Sequence, residues 1–107
     1  MNSEEHSGRE LFVINEDLRE LIPHFLVHQF DELQQMETCL KSGNVAEVGR
    51  LGHSLKGAAA NFCLEPLSRL GTTIHDVAKL GMSDALEPLV RKYRLYLEEL
   101  RIQLGQA

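Results

Sequence analysis

The 107-residue chain has two cysteines and 11 basic residues against 16 acidic ones, and each shortage excludes a class of protein. Cys39 and Cys63 are too few for a disulfide framework and lack C-x-x-C spacing, so free thiols buried on helices are expected. A formal charge of −5 leaves no basic surface able to displace counterions from nucleic-acid phosphates. No apolar run approaches the roughly 18 to 20 residues that span a bilayer. Met1-Asn2-Ser3-Glu4-Glu5 is too polar and acidic for a signal or transit peptide. A cytoplasmic protein without nucleic-acid or membrane partners is therefore expected, and Met1 with its short tail favours a chain that stands alone. The length accommodates one domain with a modest core and no second, cofactor-bearing lobe.

β-branched residues are also scarce, with six Val, four Ile and three Thr against 18 Leu. Apolar residues recur at helical spacing, and neither an Asn-Gly or Asp-Gly hairpin signal nor an internal repeat is present, so the chain reads as all-helical. Residues 1–10 read as a flexible polar tail and residues 11–107 as one domain. Leu11-Phe12-Val13-Ile14 lead into a brief helix over about 16–22 that Asn15 can cap. Pro23 suits the first turn of a longer helix carrying Phe25, Leu26, Leu33, Met36 and Leu40, which stops at Lys41-Ser42-Gly43. Asn44 with Glu47 resembles a capping box and opens a helix over about 45–62. Glu65-Pro66 opens another over about 66–80, ending at Gly81. Ser83 or Asp84 starts the last. Pro88 should fall near its first turn, because deeper inside it would remove a backbone hydrogen bond. Leu86, Leu89, Val90, Tyr93, Leu97, Leu100 and Leu104 then line one face. Four helices joined by connections of about three or four residues imply an antiparallel up-down-up-down four-helix bundle with the short N-terminal helix across one end.

The segment from Asn44 to Phe62 carries the chemistry. With Leu55 at 0° and about 100° per residue, Val48, Leu51, Ala58, Ala59 and Phe62 all fall within roughly 60° of it and form the core stripe. His53 falls at about 160°, facing solvent or a partner. Gly49 and Gly57 lie one turn before and after it, Gly52 immediately precedes it, and Ala60 sits two turns on. Each interior glycine costs a helix about 0.5–1 kcal/mol relative to alanine. Their clustering is read as removing side chains around the imidazole so that another protein, or a bulky reacting group, can approach. Lys56, three residues on, brings an ammonium to the adjoining flank. An exposed nucleophilic imidazole with one cation in reach suits acceptance of a phosphoryl group.

His53-Ser54-Leu55-Lys56-Gly57-Ala58-Ala59-Ala60-Asn61-Phe62 resembles the H-x-L-K-G motif of histidine-containing phosphotransfer (HPt) domains. Lys41-Ser42-Gly43-Asn44 looks like that family's turn before the phosphorylated helix. Pro23-His24-Phe25-Leu26 resembles its second-helix opening, and Leu67, Leu70 and Ile74 resemble the spaced aliphatics of the helix that follows. The resemblance covers about residues 15–100. It implies that His53 accepts a phosphoryl group from a receiver-domain aspartate and passes it to another, with phosphohistidine as the intermediate. Lys56 would support the phosphate charge, with Arg50 as further relief, and Gly57 would keep the approach open. Gly49, Arg50, Gly52 and Ala60 would meet the partner. The resemblance further implies a phosphocarrier without a nucleotide site, with Mg²⁺ supplied by the receiver domain of a hybrid sensor kinase or response regulator, and a monomer. Two positions depart from the family pattern: Cys63 stands where a glycine usually follows the histidine by ten residues, and His75 where a glutamate often follows by 22.

Other residues admit competing readings. His24 and His28 have the i, i+4 spacing of a metal pair, but no facing Glu-x-x-His supports them, so surface or structural roles are expected, without metal. His75 is read the same way, and His6 lies in the tail. Phe12 and Phe30 could cover the bundle end or sit beside His53. Arg91-Lys92-Tyr93-Arg94, with Glu98-Glu99-Arg101, reads as a solvated face. The alternatives to phosphotransfer are a receiver-docking module without transfer activity and a metal-binding bundle using His24, His28 and another histidine.

Overall fold

The computed structural model describes residues 10–105. The expected tail, His6 included, lies outside them apart from Glu10. A 3₁₀ helix, Glu16–Leu21, leads directly into α1 (Ile22–Lys41), followed by α2 (Val45–Asn61), α3 (Glu65–Lys79) and α4 (Ser83–Gln103). Among the described residues every regular element is helical, and the four long ones pack as a bundle.

The boundaries follow local chemistry. The Asn15 side chain accepts from the Asp17 amide at 3.0 Å and starts the 3₁₀ turn. Pro23 lies in the first turn of α1, where its missing N–H is harmless. The capping box at Asn44 is half formed: its side-chain oxygen accepts from the Glu47 amide at 3.3 Å. The Glu47 carboxylate does not return the bond, because the Asn44 amide already donates to the Cys39 carbonyl at 2.8 Å, and Glu47 turns to Arg50 instead. Pro88 lies deeper than expected, as the sixth residue of α4. It denies the Asp84 carbonyl an in-helix donor, but Asp84 and Pro88 are both exposed, so water can replace the bond.

The core contains the aliphatic stripes read from the sequence: Phe25, Leu33 and Met36 from α1, Val48, Leu51, Leu55 and Ala59 from α2, Leu67, Leu70 and Ile74 from α3, and Leu86, Val90, Leu97 and Leu100 from α4. Leu40, Ala58, Phe62, Leu89 and Leu104 are half-buried at its margin. Tyr93 follows the apolar face of α4 rather than the solvated-face reading of its run: it is 0% exposed, and its hydroxyl donates to the Gln29 side-chain oxygen at 2.8 Å. Arg91 and Lys92 are exposed, while Arg94 crosses to α1 and binds Glu37 through two hydrogen bonds of 2.9 and 3.0 Å.

Phe12 covers the bundle at the C-terminal end of α4. Its ring meets Tyr96 edge-on at 6.2 Å, and its amide donates to the Gln103 side chain at 3.2 Å. Phe30 is half-buried beneath the Arg101 guanidinium, 5.5 Å from its ring centroid. Neither phenylalanine lies beside His53.

Helices α2 and α3 form the closest pair in the bundle. Gly49 lies against Ala78, Gly52 against Ile74, Gly71 and His75, and Lys56 against Gly71 and Ser68, so contacts that climb α2 descend α3. A methyl group added at Gly71 would lie 2.6 Å from both the Gly52 carbonyl oxygen and the Lys56 nitrogen. One added at Gly52 would lie 2.8 Å from the Ile74 side chain and 3.0 Å from the Gly71 carbonyl. The two backbones meet here at a distance only glycine permits.

Candidate functional site

This crossing positions His53. With α2 fixed against α3 through its glycine-lined flank and against the core through Leu51 and Leu55, residue 53 projects outward, and its side chain is exposed. It stands at the edge of an open groove of about 640 Å³, lined by Val45, Ala46, Gly49, Arg50 and His53 from α2 and by His75, Ala78 and Lys79 from α3. The floor is apolar and the rim carries cations.

The residues expected to clear the approach do two different jobs. Gly57 is exposed, and a methyl group added there would meet nothing within 4 Å, so the outer face beside it is open space. Gly49 and Gly52 are buried. Their missing side chains admit α3, Gly49 against Ala78 and Gly52 against Ile74, rather than opening a path for a partner. Gly49 still lines the groove, whereas Gly52 does not. Ala60 is exposed further along α2 and outside the groove.

Lys56 is exposed one turn beyond His53, with no carboxylate paired to it among the described residues. Its backbone is held: the Ser68 hydroxyl donates to the Lys56 carbonyl at 3.1 Å. Arg50 is less free than expected. It grips Glu47 with Nε 2.9 Å from the carboxylate and a second bond through its terminal nitrogen. That hydrogen bond holds the Glu47 carboxyl below the usual range and raises Arg50 further above its own. Much of the Arg50 charge is already answered within the chain.

His75 enters the site from α3, half-buried, with its ring centroid 5.2 Å from that of His53 and the two planes inclined by 52°. Its Nδ1 lies 3.2 Å from the Gly49 carbonyl oxygen. A carbonyl can only accept, so Nδ1 carries a proton. The sequence does not bring the two histidines together, because a separation of 22 positions hides that α2 and α3 touch. The available signal is the matching set His75, Ala78 and Lys79 on one face of α3, opposite Val45, Gly49 and His53 on α2. His24 and His28 are exposed on α1, His28 near Glu32 at 3.5 Å, and among the described residues no three His, Cys, Asp or Glu side chains converge as a metal site.

Cys63 follows α2 with φ of +59°, the left-handed conformation that its usual glycine would adopt more easily. It completes the helix end all the same, donating to the Ala60 carbonyl at 3.0 Å while Leu64 donates to Ala59 at 3.0 Å. The thiol is exposed, against the expectation of burial, and Cys39 is half-buried.

The model of the Hpt domain matches residues 20–103. The chain belongs to the Hpt domain family. Hpt domains are phosphocarriers of two-component phosphorelays rather than enzymes in the usual sense, and they are helical bundles. No curated protein and no solved structure matches this Hpt chain.

Proposed function

We propose that this Hpt domain relays a phosphoryl group between receiver-domain aspartates through phosphohistidine at His53, on an antiparallel up-down-up-down bundle. The observation that carries the reading is the exposed imidazole at the lip of the α2–α3 groove, with open space at Gly57 one turn beyond. A ring nitrogen of His53 donates its lone pair to phosphorus as the aspartyl P–O bond breaks in line, and the aspartate leaves as carboxylate. The reverse step delivers the group to the next receiver. Lys56 lies on the exposed flank where the added charge of about −1.5 to −2 develops, and Gly57 leaves room for the receiver's loop. Arg50 and Ala60 present the surrounding contact surface, while Gly49 and Gly52 act from beneath by seating α3. Mg²⁺ and the acidic pocket come from the receiver domain of a hybrid sensor kinase or a response regulator. The domain works as a monomer in the cytoplasm.

Incubation with a phosphorylated receiver tests this. Label should pass to the chain in an acid-labile, alkali-stable form, and His53→Gln should abolish it. Full labelling of His53→Gln would refute the assignment. Receiver binding without any labelling of the native chain would favour a docking module instead.

A further inference from the structure

The groove holds a second imidazole that the reaction above does not use. His75 is fixed at one nitrogen and placed a ring's breadth from the acceptor. We infer that His75 is a positioning residue for the phosphoryl group on His53: anchored by the Gly49 carbonyl, it gains a proton when His53 is phosphorylated and pairs as imidazolium with the phosphoryl oxygens. The inference rests on the proposed role of His53.

The anchoring bond decides which nitrogen titrates. Because Nδ1 donates to Gly49 at 3.2 Å, the neutral ring carries its lone pair on Nε2, and protonation there does not disturb the anchor. The other charged groups around the groove are Arg50 from α2, engaged by Glu47, and Lys79 from α3, with Lys56 further along the exposed flank. Val45, Ala46 and Ala78 contribute no titrating group. Arg50 and Lys79 bring positive side chains to the groove rim, and the Arg50 charge is already answered by Glu47. A phosphoryl dianion on His53, whose ring centroid lies 5.2 Å from that of His75, adds the nearby negative charge that favours the imidazolium.

The proton comes from solvent, and the N–P bond forms on His53 with loss of the aspartyl P–O bond as before, so the His75 charge adds no chemical step. Its midpoint is raised in the phosphorylated chain. The extra stabilisation of phospho-His53 is therefore complete below the unphosphorylated His75 midpoint and lost as pH rises through the raised one. An imidazole neighbour thus makes the phosphorylated state more favoured at the acid end of the neutral range, which a permanent cation would not do.

The test uses the full chain treated with phosphoramidate, a small phosphoryl donor, with the N–P bond followed by ³¹P NMR and the His75 ring by ¹H–¹³C NMR from about pH 6 to 9. The His75 midpoint should rise by about one pH unit on phosphorylation and return when the phosphoryl group is removed. His53→Gln treated identically should show no rise. An unmoved His75 midpoint in a fully phosphorylated chain would overturn the inference while leaving His53 as acceptor. Phosphorylation of His75 in place of His53, or no phosphohistidine at all, would overturn both assignments.

Discussion

Cys63 occupies, just past the end of α2, a position that other helices of the bundle fill with glycine. Helices α1, α2 and α3 end in the same wrapped turn, in which the residue after the cap donates back to one carbonyl and the next residue to the carbonyl before it. In α1 and α3 that residue is Gly43 or Gly81, at φ of +79° and +73°. In α2 it is Cys63 at +59°, where a β-carbon crowds the following carbonyl. The left-handed conformation costs a side-chain-bearing residue about 1–2 kcal/mol, and the greater freedom of glycine in the unfolded chain returns part of that. Cys63→Gly should therefore stabilise the domain by about 1 kcal/mol, raising its melting temperature by about 4–8 °C. The Asn15 amide is 3.8 Å from the thiol, too weak a contact to offset the gain. Calorimetry showing a lower melting temperature would mean that the thiol contributes something the geometry does not reveal.

At the scale of the elements, the two packed helices depend on Gly71 as much as on either aliphatic stripe. Gly71→Ala would place its methyl against the Gly52 carbonyl and the Lys56 nitrogen, both backbone atoms that cannot move without displacing a helix. The expected loss is about 1–3 kcal/mol in urea unfolding, at the upper end because no flexible side chain can yield. Receiver-dependent labelling should fall with it, since the displaced helix carries His75 and one wall of the groove. An unchanged denaturation midpoint would show that the helices separate without penalty. The positions of the four long helices were legible because caps, prolines and leucine spacing all speak within one element. The meaning of Gly49 and Gly52 was not, because a residue without a side chain gives no sign of which flank it serves. On the helical wheel Gly52 lies about 60° from Leu55, as close to the core as Ala58; only Gly71 on the next helix explains why. The outward direction of His53 could be read from periodicity alone, whereas its neighbour His75 required the crossing itself.

Across the whole molecule, Tyr93 ties the two longest helices together from inside. The domain measures 42 × 31 × 21 Å, and no described helix is long and apolar enough to cross a membrane, so its cohesion depends on a core only a few side chains thick. Burial drives the Tyr93 hydroxyl well above its ordinary titration range, with the Glu32 charge adding to the effect, while the hydroxyl donates to Gln29. A pKa raised on folding contributes stability that is complete below the unfolded value of about 10 and lost as pH climbs beyond it. The native domain should therefore weaken above about pH 10, by up to about 1.4 kcal/mol per pH unit from this group. Tyr93→Phe gives up the hydrogen bond and leaves the Gln29 oxygen unanswered, which lowers stability by about 1–2 kcal/mol near neutral pH. It also has no phenol to ionise. The stability gap between the two proteins should consequently narrow as pH rises from about 9 to 11, the lysines being common to both. A gap of constant size over that interval in urea titrations would show that the unfolding transition does not expose this phenol to water.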